Sequence, residues 1–128
     1  MTRTAAAIAR GVIVAGFVWG TLTHAADWWR YGWWPYRFGP PMLNAFWNAL
    51  VLLDAMTVVL LLRRDLRAGL MLAIVVMVAD VAANSYAWRM LGVTAFEGAV
   101  PIQAAFLGYV VGAVPLLWFE NAKPEQFR

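Results

Sequence analysis

Two carboxylic acids, Asp54 and Asp80, stand inside otherwise apolar stretches of this 128-residue chain. Each lies near the middle of a stretch long enough to cross a bilayer. A carboxylate at the bilayer centre costs about 2.5–3.5 kcal/mol on insertion scales. Both acids must therefore turn away from lipid and find partners. Two acids in one dry site share a proton, and their titration belongs to the pair. Such a pair serves acid–base chemistry, cation binding and proton transport alike. Three readings follow: hydrogen-bonding glue between helices, a ligand or catalytic site, and a proton or ion relay.

Other polar residues fall at related positions. Asn84 follows Asp80 by four residues, which puts both on one helix face. Asn44 and Asn48 make a similar pair before Asp54. Trp47 precedes Asp54 by seven residues and lies nearly above it, and Gln103 sits in the outer half of the last apolar stretch. A polar pocket in the outer half of a bundle is the expectation. His24 and Asp27, three residues apart, share a face at the end of the first stretch. They read either as an interfacial polar pair or as an acid–base pair at the pocket mouth. The chain has one histidine and no cysteine. That excludes disulfides, thiol catalysis, iron–sulfur clusters and a bis-histidine haem within one chain. The scattered carboxylates lack metal-ligand spacing, so neither metal nor cofactor is expected.

The elements that must position these residues follow from composition. Apolar residues make up 63% and charged residues 13%, against roughly 45–50% and 25% in soluble domains. A chain this short cannot hide so much apolar surface in one core, which excludes disorder, argues against a soluble enzyme and makes lipid part of the solvent. The expected architecture is all-α: a single domain over 1–128, with spans at about 5–26, 41–62, 68–90 and 99–119. Alternation of period two is absent, so a β-barrel is rejected. Arg3, Arg10 and the small-residue site Thr23-His24-Ala25 give the first span features of a signal peptide. It is nevertheless expected to stay as a helix. Pro40 and Pro41 open the second span, Pro101 sits in the first turn of the fourth, and Pro115 is expected to kink that helix.

The loop 27–40 holds four of the eight tryptophans. It reads as an aromatic belt in the headgroup layer or as a lid over a cavity. Gly16-Phe17-Val18-Trp19-Gly20 and Gly108-Tyr109-Val110-Val111-Gly112 are GxxxG patterns that allow close helix approach. They read first as packing within the chain and second as a homo-oligomer contact. Seven Arg and Lys residues fall on the side of the termini and the second–third loop, against three (Arg30, Arg37, Arg89) on the other. This predicts both termini in the cytoplasm of a multi-pass inner (plasma) membrane protein. With one lysine and no run of basic residues between aromatics, the +3 charge does not describe a nucleic-acid surface.

The layout resembles the EXPERA superfamily, which includes the emopamil-binding sterol isomerases and the sigma-2 receptor. The matching positions are His24 and Asp27 at the end of the first helix, Pro40-Pro41, Asp54 inside the second helix, and Pro115 in the fourth. The second helix carries Asp where that pattern has Glu, Asp80 has no counterpart, and the first loop is shorter. The resemblance implies a four-helix bundle whose cavity accepts sterol-like or cationic amphiphilic ligands. It also implies acids that meet the ligand's positive charge and, in the isomerases, move protons.

The leading expectation is therefore a bundle that binds a lipophilic ligand, cationic or isoprenoid/sterol-like, with isomerisation of that ligand as the activity the resemblance implies. Asp54 and Asp80 contact or protonate that ligand, Asn48, Asn84 and Gln103 orient them, His24 and Asp27 stand at the mouth, and Trp47 lines it. Two rivals stand beside it: an accessory subunit docking protein partners, and a proton-coupled transporter acting as an oligomer.

Overall fold

The structure, a computed structural model, describes residues 3–64 and 66–121. Lys123 and Arg128 of the charge count, and Asp65 of the second–third hairpin, lie outside the described residues. Four helices follow one another: α1 (Arg3–Tyr31), α2 (Pro41–Leu61), α3 (Arg67–Leu91) and α4 (Phe96–Asn121). All four are long and apolar enough to cross a membrane. The shortest, α2, has 21 residues, or about 31 Å at 1.5 Å per residue, which matches a hydrocarbon core of ~30 Å.

The boundaries have local causes. Pro41 begins α2, where its missing N–H removes no helical bond. Gly32, at φ 81°, ends α1 and donates its N–H to the Trp28 carbonyl at 2.9 Å. Gly92, at φ 70°, ends α3 in the left-handed conformation, and Val93 N–H reaches back to Ala87 O at 3.1 Å. Two boundaries differ from the sequence expectation. The first helix runs on to Tyr31, so Asp27, Trp28, Trp29 and Arg30 are helical and the loop shrinks to residues 32–40. The fourth begins at Phe96, which moves Pro101 from the first turn into the second, inside the helix together with Pro115.

Each helix packs against its chain neighbours, and α1 also closes the ring against α4, the least closely packed of the four seams. At the end bearing the α2–α3 hairpin the seams are tight. A Cβ on Gly69 would stand 2.7 Å from Leu61 N and 2.9 Å from Leu60 C, so α2 and α3 meet backbone to backbone there. Arg10 Nε of α1 donates to Leu61 O at 2.5 Å and its Nη2 to Arg63 O at 3.1 Å. These bonds satisfy carbonyls that the end of α2 leaves without helical partners.

The bundle buries a group of polar side chains within an otherwise apolar core and exposes an apolar surface. Asn44, Asn48, Asp54, Thr57, Asp80 and Asn84 are buried among Phe17, Leu50, Val76 and Val110. Ile8, Leu52, Val75, Ile102 and Phe119 are exposed. An apolar surface over buried polar contacts suits a solvent of lipid tails, in which small and polar side chains hold helices together.

Candidate functional site: an acid-lined cavity between α1 and α4

A cavity of about 480 Å³ occupies the half of the bundle nearer the aromatic loop. All four helices contribute. The seam helices α1 and α4 supply most of its wall, including Phe17, Trp19, Ile102 and Phe106, while α2 supplies Asp54 and α3 supplies Asp80. Its chemistry is thus concentrated in a few groups on an apolar wall.

The two acids are held differently. Asp80 Oδ1 accepts from Asn84 Nδ2 at 3.0 Å. Asn84 is the hub of the site: its Nδ2 also donates to Gln103 Oε1 at 2.9 Å, and its Oδ1 accepts from Trp47 Nε1 at 2.7 Å. One amide thereby ties α3 to α2 and α4. Asp54 is 6% exposed and receives no hydrogen bond from any described residue. No side-chain oxygen or nitrogen is both fully occluded and unpartnered among the described residues, so the Asp54 oxygens open into the cavity they line. Gly20 makes room for this carboxylate, since a Cβ there would collide with Asp54 Oδ2. Gly16 likewise makes room for the Phe106 ring. The first GxxxG pattern is therefore an inward face that admits the contents of the site. The second faces outward, with nothing within 4 Å of a Cβ at Gly108 or Gly112.

At the aromatic end, His24 and Asp27 are joined through a third residue. Tyr36 Oη donates to Asp27 Oδ2 at 2.9 Å and lies 2.8 Å from His24 Nδ1. Tyr36 lies outside the helices. Burial, then the hydrogen bond to Asp27, then the charges of Asp27 and the more distant Asp80, hold its phenol well above the usual tyrosine range. The phenol therefore keeps its single proton, which goes to Asp27. The ring of Tyr36 packs edge-on to Trp47, and Phe38 and Phe96 pack against the same indole. The short loop is in this way pinned across the end of the bundle.

Of the residues singled out from sequence, Asp54, Asp80, Gln103 and His24 line the cavity. Asn84 and Trp47 stand behind it and fix Asp80 and Gln103. Asp27 reaches the site only through Tyr36. Asn48 belongs to a separate cluster: it accepts from Trp28 Nε1 at 2.7 Å and donates to the Asn44 amide oxygen at 2.8 Å. Sequence reasoning missed Tyr36, one aromatic among many in its loop, and gave Gly20 no role beyond helix packing. No group of three His, Asp or Glu residues able to hold a metal ion occurs among the described residues.

Comparison with known proteins finds no matching family model, no matching curated protein and no matching solved structure.

Proposed function

We propose that this protein binds a lipophilic molecule with a cationic end in the cavity between α1 and α4, with Asp54 and Asp80 as the counter-charge. The observation that carries the reading is Asp54: buried, without a hydrogen-bond donor, and opening into an apolar-walled space. A buried carboxylate without a partner is costly, and a complementary charge offsets that cost. Phe17, Trp19 and Phe106 on the wall add ring faces that attract cations. The resemblance of the layout to the EXPERA superfamily points the same way and adds an isomerase activity in which the acids and His24 would shift a proton on the bound molecule. The protein works as a multi-pass protein of the inner (plasma) membrane, with both termini in the cytoplasm and the bilayer as its constant partner. The exposed apolar side chains of α1 and α4, among them Trp19 and Ile102 beside the cavity, suit a ligand that partitions into the bilayer.

The test is mass spectrometry of lipophilic molecules that co-purify with wild type, Asp54→Asn and Asp80→Asn. A defined molecule retained by wild type and lost from both folded variants supports the reading. Bulk phospholipid alone in all three samples overturns it.

One observation favours a second reading, an accessory subunit of a larger membrane complex. The open Gly108 and Gly112 face of α4 leaves space for a helix of a partner or of a second copy. Co-migration with a large assembly after mild detergent extraction would favour it.

A further inference from the structure

The hydrogen-bond directions around the cavity restrict the chemistry of the cationic end. This inference rests on the cavity being a ligand site. Tyr36 has one hydroxyl proton and gives it to Asp27. Toward His24 the same oxygen can only accept, so His24 Nδ1 must carry a proton. In the neutral ring the other nitrogen, Nε2, is then a bare acceptor. It has no partner among the described residues and is not occluded, and His24 lines the cavity.

Asp54 brings two oxygens without donors. Asp80 brings Oδ2, its Oδ1 being taken by Asn84. Against these acceptors the lining offers few donors, the Gln103 amide nitrogen, whose oxygen is engaged by Asn84, and the Trp19 indole N–H. The remaining side-chain hydroxyl on the wall, Thr23, gives its proton to the Gly20 carbonyl at 2.9 Å.

We infer that the cavity selects a ligand whose polar end is a primary or secondary ammonium, a cation that carries N–H bonds, over a quaternary ammonium or an anionic headgroup. Three acceptor groups on separate helices, His24 of α1, Asp54 of α2 and Asp80 of α3, equal in number the N–H bonds of a primary ammonium. A quaternary ammonium satisfies the charge but leaves every acceptor unpaired. A phosphate faces two carboxylates with only the Gln103 amide and the Trp19 indole N–H to meet it, which disfavours aminophospholipids despite their amine. A neutral amine reaches the same state: an Asp carboxyl proton transfers to the amine nitrogen, leaving a carboxylate paired with an ammonium. Tyr36 and Asp27 are positioning residues, because they act by fixing which His24 nitrogen carries the proton.

The experiment uses the full chain in phosphatidylcholine nanodiscs. Two probes are titrated calorimetrically, 4-phenylbutylamine and its N,N,N-trimethyl analogue. Hydrogen bonds to charged groups set the expected scale: the primary amine should bind about 10-fold or more tighter. Asp54→Asn should remove most of that preference. Because His24 is the chain's only histidine, selective ¹⁵N-histidine labelling reports its state without ambiguity. Wild type should show Nδ1 protonated and Nε2 bare. Tyr36→Phe should shift both signals and reduce the preference, and the wild-type spectrum alone decides the tautomer if that variant does not fold.

Equal or tighter binding of the trimethyl analogue overturns the inference while leaving the cationic-ligand reading intact, since an aromatic cage would then explain it. An Nε2-protonated His24, or competition by added phosphatidylethanolamine, also overturns it. Failure of both probes to bind removes the inference together with the reading it rests on.

Discussion

Asp54 and Asn84 are both polar and both buried, yet they do opposite things for the bundle. Asn84 joins three helices through Trp47, Asp80 and Gln103. Two of its bonds, to Trp47 and Gln103, cross between helices; at ~0.6 kcal/mol per interhelical bond in membrane proteins, Asn84→Ala should cost about 1 kcal/mol, read as a shifted unfolding midpoint in detergent. Asp54 bonds to nothing described, so Asp54→Asn should leave that midpoint unchanged or raise it while abolishing ligand retention. A large loss of stability in Asp54→Asn would return the acid to a structural role. Tyr36 gives a pH prediction. Its phenol is raised in the fold, by burial first and by the Asp27 carboxylate second. It therefore contributes stability that is fully present below the unfolded value of ~10. As pH rises above that point the unfolded chain releases a proton that the fold retains, and stability falls. Alkaline denaturation should begin at higher pH in Tyr36→Phe than in wild type, monitored by tryptophan fluorescence.

Among the elements, the four apolar helices and the burial of both acids were legible in the sequence because apolar run length and the cost of an acid within such a run record them directly. The end of α1 was not. Trp28, Trp29 and Arg30 suit an interfacial loop and an interfacial helix turn equally, and only Gly32 marks the stop. Helix rotation was also illegible. Asn48 and Asp54 share a helix, but Asn48 turns toward Trp28 of α1 while Asp54 turns into the cavity. Hydropathy carries no term for that choice. The contact of Gln103 with Asn84 joins separate helices and depends on the same rotations. The closest seam yields an element-scale prediction. Gly69→Val forces apart backbones that a Cβ would already approach to 2.7 Å. It should destabilise the α2–α3 hairpin by about 1–3 kcal/mol, whereas Gly98→Val, at a position with nothing within 4 Å, should shift the unfolding midpoint far less.

At the scale of the whole molecule, four helices long and apolar enough to cross a membrane expose large apolar side chains, a surface that suits lipid. The absence of cysteine allows orientation to be read by single-cysteine labelling in intact cells. Trp33→Cys should react with a membrane-impermeant maleimide and Arg64→Cys should react only after permeabilisation, as the Arg and Lys asymmetry requires. The reverse pattern would invert the topology. A cavity walled largely by α1 and α4 should also leave a spatial signature when occupied. The most direct measurement is photo-cross-linking of a lipophilic primary amine bearing a diazirine, with adducts mapped by peptide mass spectrometry. Adducts concentrated in residues 16–24 and 99–106, and lost in Asp54→Asn, are the predicted result. Adducts spread over the exposed faces of α2 and α3 around Leu52 and Val75, unchanged by Asp54→Asn, would contradict it.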